Sequence, residues 1–141
     1  MKLVPYEAGH FERLQLSAAE RAAVALASPD LAMQMDFAHT MSIVDGDEVL
    51  VCGGVLTIWR NRGLLFSFVS DAIGPHRWIG VHRLVTQFIE EACCHRLEAE
   101  VRREFKAGHR WMHMLGFQVE RECAKAYYPD GADATLYVRF S

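Results

Sequence analysis

The sequence GPHRWIGVHRL (residues 74–84) lies between a run typical of a buried strand and a run typical of an amphipathic helix. LLFSFV (residues 64–69) precedes it. Apolar residues then recur at helical spacing, namely Trp78, Val81, Val85, Phe88 and Ala92. A strand, a turn with glycine and a helix that begins near an arginine are the components of an anion-binding site, because a helix N-terminus carries unpaired N–H groups and partial positive charge.

Two residues of this stretch are suited to hold a phosphate. Gly80 has no Cβ and lets a phosphate approach the backbone, while Arg77 supplies a fixed cation that can bond to two phosphate oxygens. A second interpretation stays open. In it, Gly74 and Pro75 form an ordinary turn, and Gly80 lets the helix pack closely on the sheet.

The N-terminal residues predict a strand followed by two helices. KLVPY (residues 2–6) is typical of a strand that its proline confines to the edge or the end of a sheet. Ser17 and Glu20 have the capping-box spacing and predict the start of a helix. Ser28 is followed by proline and aspartate, which predicts a second helix ending near His39.

The remaining elements are mostly strands joined in hairpins. A hairpin turn is predicted at residues 45–47, and Gly53-Gly54 in its second strand predicts either a bulge or the close approach of another backbone. Residues 96–101 alternate as a strand, and a short helix then ends at Gly116. The C-terminal hairpin turns at residues 129–131.

The resulting order is β, α, α, β, β, β, α, β, α, β, β. Such an order predicts an α+β protein with a largely antiparallel sheet and a few helices packed on it. The length of 141 residues fits one domain spanning residues 1–141.

Composition excludes several classes of function. A net charge of −3 gives no electrostatic footprint for nucleic-acid binding. The first residues lack a signal peptide, and no apolar stretch is long enough to span a membrane, so a cytoplasmic protein is expected. The four cysteines form no C-x-x-C pair and are expected to be reduced packing residues. Trp59, Trp78 and Trp111 are expected to anchor the core.

Three segments together resemble the GNAT (Gcn5-related N-acetyltransferase) superfamily. RWIGVH (residues 77–82) is similar to the family's acetyl-CoA motif, Arg/Gln-x-x-Gly-x-Gly/Ala. AGHRWMHMLGF (residues 107–117) is similar to the family's fourth helix, with Arg110 and the Leu-Gly-Phe element matching its ribosomal-protein acetyltransferase branch. YYPDGADATLYVRF (residues 127–140) resembles the tail of that branch. The resemblance implies a GNAT-like acyl-CoA N-acyltransferase fold, in which residues 64–69 and 96–101 are neighbouring parallel strands that splay at one end.

The resemblance also implies a co-substrate, acetyl-CoA, and residues that contact it. The expected cofactor-binding residues are Val69, Arg77, Gly80 and Arg110. Amine acetylation needs a base for the ammonium proton and an acid for the leaving thiolate. Asp71, just after the strand at residues 64–69, is the candidate base, and Tyr128, with Tyr127, is expected to reach the site from the C-terminal hairpin. Their ordinary interpretations are a turn aspartate that caps backbone groups and aromatic packing.

Two positions depart from the family pattern. His82 stands where the cofactor motif has a small residue, and Met112 stands where many members have the tyrosine that donates a proton. These departures predict loose or lost cofactor binding and slow or lost catalysis. Met112 has no proton to donate.

Other site types have less support in the sequence. His109 and His113 have the i, i+4 spacing of metal ligands, but the glutamate of the zinc-protease pattern is missing and no third ligand is evident, so no metal is expected. No serine or cysteine has the sequence surroundings of an activated nucleophile.

Two kinds of function therefore remain. One is an N-acetyltransferase acting on a small-molecule or protein amine. The other is a GNAT-fold protein without catalysis that serves as a binding or assembly subunit, since the chain also resembles GNAT-like proteins encoded by tailed bacteriophages, some of which are virion-associated. That alternative implies partners among phage structural proteins or further copies of the chain, located in the host cytoplasm or the virion.

Overall fold

The structure, a computed structural model, describes residues 1–25, 39–92 and 94–141. The helix predicted from Ser28 lies outside the described residues, and His39 is the first residue of a strand. Four helices are described: α1 (Ala8–Glu12), α2 (Ala18–Ala25), α3 (Pro75–Glu91) and α4 (Lys106–Met114). Seven strands accompany them: β1 (Lys2–Pro5), β2 (His39–Asp45), β3 (Glu48–Trp59), β4 (Arg62–Val69), β5 (Arg96–Arg102), β6 (Gln118–Ala124) and β7 (Ala134–Phe140).

The strands form one mixed sheet in the order β1-β2-β3-β4-β5-β7-β6. β1 pairs antiparallel with β2 at one edge, where its proline is tolerated, as predicted. β4 and β5 pair in parallel through three residue pairs, from Arg62 with Arg96 to Leu64 with Glu98. The predicted α+β class, and the prediction that these two strands are parallel neighbours, are confirmed.

Contacts divide the chain into two compact units. The first comprises Met1–Leu56 and Phe66–Ala92, and the second comprises Thr57–Leu65 and Cys93–Ser141. The prediction of a single domain stays a prediction. No helix among the described residues is long and apolar enough to cross a membrane.

The first unit is built on a core between the N-terminal segment and the β2–β3 hairpin. Five buried residues form this core: Leu14, Leu16, Val44, Val49 and Cys52. Phe66 and Phe68 of β4 pack against it. The α2 helix begins as predicted, since the Glu20 N–H donates to the Ser17 hydroxyl at 3.2 Å and satisfies one of the unpaired donors of the helix start.

Gly53 and Gly54 permit close backbone contacts within the first unit. A Cβ on Gly53 would lie 2.5 Å from the Phe66 carbonyl oxygen, and one on Gly54 would lie 2.3 Å from the His39 carbonyl oxygen. The bulge of this hairpin lies elsewhere, between Ile43 and Val44. Of the two predicted alternatives, the close approach is confirmed.

The second unit places α4 and the β6–β7 hairpin with β5. Leu97, Ala99 and Val101 of β5 are buried on one face, as their alternation predicts. The α4 helix ends at a glycine in the left-handed region, Gly116, with φ +84°, as predicted.

The expectation that all three tryptophans anchor the core is wrong for one of them. The Trp59 side chain is 63% exposed at the end of β3. The Arg62 guanidinium lies 4.7 Å from its ring centroid, across the turn that follows β3. The apolar sequence around Trp59 indicated burial, but the last three residues of β3 are exposed. Trp78 and Trp111 are half-buried.

Candidate functional site

The stretch that predicted an anion site forms the start of α3. Gly74 is the N-cap and Pro75 is the first helical residue, so Arg77 and Gly80 are the third and sixth residues of the helix. This position within the first two turns is as predicted. Pro75 has no N–H, and the Arg77 and Trp78 N–H groups both donate to the Gly74 carbonyl at 3.1 Å. The helix start therefore offers few free donors to an anion.

The Arg77 guanidinium is bound to carboxylates of the β2–β3 hairpin. Its two terminal nitrogens donate to the two oxygens of Glu48 at 2.6 and 3.1 Å. Asp45 lies 3.5 Å away, and the Ala72 carbonyl accepts a further bond at 3.1 Å. These hydrogen bonds lower the pKa of Glu48 and raise that of Arg77, so the pair is fully ionised at neutral pH. A phosphate that bonds to Arg77 must compete with Glu48.

Gly80 faces the N-terminus of the chain. A Cβ added there would lie 2.8 Å from the Met1 sulfur. This contact is what the packing interpretation of Gly80 predicts, and a role toward a cofactor stays a prediction. His82 is half-buried five residues after Arg77, and its carbonyl accepts a bond from the Thr86 hydroxyl at 2.8 Å.

Two carboxylates lie near the end of β4. The Asp71 N–H donates to the Gln15 carbonyl at 2.8 Å, which fixes the residues after β4 to the segment just before α2. The half-buried Glu20 of α2 is close enough for the Asp71 charge to raise its pKa, although burial is the larger cause of that rise. Hydrogen bonds from the Ser17 and Val69 N–H groups oppose the rise.

Glu20 is not among the site residues that the sequence predicted. Its spacing from Ser17 identified it as a helix-capping residue, and the structure bears this out. The sequence contains no signal that α2 begins beside the end of β4, because that contact depends on the bond between Asp71 and Gln15.

The predicted residues of α4 differ in exposure. Arg110 is exposed and makes no ion pair with any residue that the structure describes. It can therefore bind an anion without losing an existing contact. Met112, at the position of the family's proton donor, is buried in the second unit with 7% of its surface exposed.

The tyrosines of the C-terminal hairpin are held by charged neighbours. The Tyr127 hydroxyl donates to Glu100, and burial and this bond raise the Tyr127 pKa. The Arg102 guanidinium lies 4.4 Å from the Tyr128 ring centroid, and burial, with the Glu100 charge, raises the Tyr128 pKa to about 12. Both phenols are protonated at neutral pH, so they are suited to donate a proton and not to accept one.

His109, from the metal alternative, and Cys52, from the nucleophile alternative, both have internal contacts. His109 uses both ring nitrogens, since Nδ1 lies 2.6 Å from the Tyr137 hydroxyl and Nε2 lies 2.8 Å from the Arg103 carbonyl. Across residues 1–25, 39–92 and 94–141, no three His, Cys, Asp or Glu side chains are grouped to hold a metal. Cys52 is fully buried, and burial raises the pKa of its thiol, which keeps it protonated.

No protein-family model matches the chain, and no curated protein matches it. Solved structures do match it over nearly its whole length. Ard1 from Thermoplasma volcanium is 16% identical with a TM-score of 0.79, covering 99% of this chain and 96% of its own. A ribosomal-protein-alanine N-acetyltransferase from Brucella melitensis is 15% identical with a TM-score of 0.72, covering 100% of both chains.

A third structure contains a ligand. It is yncA from Salmonella typhimurium with its cofactor acetyl-CoA, and it is 17% identical with a TM-score of 0.69, covering 99% of this chain and 93% of its own. Identities this low concern the fold alone. The strand order, the parallel β4–β5 pair and these likenesses together show that the chain has the GNAT-like acyl-CoA N-acyltransferase fold.

Proposed function

We propose that the protein binds acetyl-CoA and transfers its acetyl group, slowly, to an amine. The observation that carries this proposal is the likeness, over 99% of the chain, to a structure that holds acetyl-CoA. The match with the ribosomal-protein-alanine N-acetyltransferase supports an amine as acceptor. Acetyl-CoA supplies the activated acetyl group as a thioester.

Two arginines are proposed to hold the phosphates of the co-substrate. Arg110 is exposed without an ion pair among the described residues, so its guanidinium is available at no cost in lost contacts. Arg77 is the second, and its charge becomes available only when Glu48 releases it. Val69 is the proposed backbone contact, and Gly80 is proposed as the position without a side chain at which the phosphate approaches the helix.

We propose a slow rate because the chain lacks the family's proton donor. The family's donor position is Met112, which is buried and has no proton to give. Tyr128 is the proposed substitute, but a phenol whose pKa is about 12 is a weak acid for a leaving thiolate. Loss of general acid assistance costs about 10²–10⁴-fold in rate.

Binding and turnover are tested separately. Acetyl-CoA at 100 times its Kd is expected to stabilise the fold by about 2.7 kcal/mol, measured as a rise in Tm. Arg110→Gln should reduce that rise, whereas Arg83→Gln, which removes an exposed arginine of α3, is the matched control. A panel of amines, assayed by thiol release, should show slow turnover, and several turnovers per second on any amine would contradict the slow rate.

A second function is favoured by the contacts of Arg77 and Gly80. Both residues of the expected cofactor motif have internal partners, Glu48 and Met1. This supports a protein that has kept the fold for a binding or assembly role, such as the virion-associated role of phage-encoded proteins. Absence of any Tm rise with acetyl-CoA and with CoA would favour this role over acetyl transfer.

A further inference from the structure

We propose that the exposed side of α4 docks an acidic segment of a partner protein. The docking surface, named the basic stripe, consists of Arg103, Lys106 and Arg110. The inference goes beyond the proposed function and does not rest on it, because a partner protein can be bound with or without acetyl transfer.

The basic stripe runs along the exposed side of α4 and the turn before it. Lys106 and Arg110 are four residues apart in the helix, a spacing that puts both side chains on the same face. Arg103 lies in the turn, three residues before Lys106. All three cations are exposed, whereas Gly108 and Met112 of the same helix are buried. The stripe is therefore accessible to a partner.

The charge of the stripe is not neutralised by the part of the chain that the structure describes. None of the three cations makes an ion pair with a described residue. Asp133 accepts a bond from the Arg103 N–H through its carbonyl, but its carboxylate oxygens are engaged by the Ala126 N–H at 2.9 Å and the Cys123 thiol at 3.5 Å. Glu104 is the one carboxylate between residues 103 and 117. The stripe therefore keeps a positive charge that attracts an acidic partner.

Apolar side chains beside the stripe favour a protein as that partner. Phe105, the N-cap of α4, is 57% exposed, and Met114, its last residue, is 67% exposed. The Phe105 ring lies against the helix, since a Cβ on Gly108 would be 2.6 Å from it. Arginine, aromatic residues and methionine are enriched in protein interfaces. A nucleic acid is disfavoured, because the net charge of −3 repels a long polyanion.

The spacing of the stripe fits an acidic segment in an extended conformation. Lys106 and Arg110 are about 6 Å apart along the helix axis, at about 1.5 Å per residue. Alternate residues of an extended strand point the same way and are about 6.8 Å apart. Carboxylates at alternate positions of such a segment can therefore pair with both helical cations, and a further carboxylate can reach Arg103.

The test titrates the protein at low salt with the hexapeptide Glu-Ser-Glu-Ser-Glu-Ser, labelled at its N-terminus, and follows fluorescence anisotropy. The same peptide with glutamine in place of glutamate is the uncharged control. We expect saturable binding of the acidic peptide alone, and backbone amide NMR shifts confined to residues 103–114. Lys106→Gln should raise the Kd about two- to fivefold, the range of an exposed ion pair.

Two further variants make the test specific to the stripe. Lys125→Gln removes another exposed lysine of the same unit and should leave the Kd unchanged. Glu104→Gln removes the opposing carboxylate and should lower the Kd. All variants keep Arg110, which is also proposed to contact CoA.

Several results would overturn the inference. The acidic peptide binds no better than the uncharged one, or Lys125→Gln weakens binding as much as Lys106→Gln does. A dT decamer that binds as tightly as the acidic peptide also overturns it, because the stripe then recognises negative charge and not a polypeptide. The assay contains no acetyl-CoA, so each of these results leaves the proposed acetyl transfer standing.

Discussion

Glu48→Gln should tighten CoA binding, because the substitution releases Arg77. Glutamine keeps the size of the side chain and removes the charge that two guanidinium nitrogens contact at 2.6 and 3.1 Å. A phosphate and the Glu48 carboxylate compete for the same donors. Removing one competitor therefore favours the other.

The size of the effect follows from the exposure of the pair. The Arg77 and Glu48 side chains are 30% and 37% exposed, so water and salt screen their attraction. Exposed ion pairs of this kind contribute little free energy, so breaking this one leaves only a small gain for CoA. We expect the Kd for CoA to fall about two- to fivefold. Asp45, at 3.5 Å from Arg77, remains in the variant and keeps the gain near the lower end of that range.

Isothermal titration with CoA at low salt measures this difference. Glu90→Gln is the matched control, because it removes an exposed carboxylate of α3 and changes the net charge equally. Combining Glu48→Gln with Arg77→Gln should abolish the gain, since the released cation is then missing. An unchanged or higher Kd in Glu48→Gln, or an equal gain in Glu90→Gln, would refute a phosphate role for Arg77.

Three further outcomes concern stability. Gly54→Ala forces a Cβ to 2.3 Å from a backbone oxygen and should lower the free energy of unfolding in urea by about 1–3 kcal/mol. The control, Gly9→Ala, has open space in α1 and should be neutral or stabilising. Ser17→Ala removes the α2 cap and should cost about 1 kcal/mol in the same assay. The Arg62 hydrogen bond lowers the pKa of Glu98 in the folded protein. The stability that this bond contributes is therefore present above pH 4.5 and is lost as the pH falls through the lower folded pKa. Glu98→Gln should make the free energy of unfolding depend less on pH below 4.5.

The sequence predicted the fold well because its signals are local and agree with one another. The capping spacing at Ser17, the left-handed glycine at Gly116 and the alternation in β5 each depend on neighbouring residues. The parallel pairing of β4 with β5 was expected from the resemblance to the GNAT superfamily. Exposure of Trp59 was not predictable in this way, because an apolar strand residue gives no indication of whether another element covers it.

The candidate site was predicted less completely because its contacts join distant parts of the chain. Arg77 and Glu48 are 29 residues apart, and a sequence motif gives no indication of which carboxylate approaches its arginine. The bond between the Asp71 N–H and the Gln15 carbonyl likewise joins segments that are far apart in the sequence. The sequence therefore predicted the chemical character of single residues but not which distant residues contact them.

The start of α3 explains why side chains must contribute most of any CoA binding. The Gly74-Pro75 pair begins the helix, and Gly80 follows Pro75 by five residues. The Gly80 N–H therefore lies inside the helix and is not among the free donors of the first turn. Pro75 contributes no N–H, and the Gly74 carbonyl takes those of Arg77 and Trp78. A phosphate at this helix thus meets little free backbone. We expect arginine charge to supply most of any binding there, with Glu48 as the competitor for Arg77.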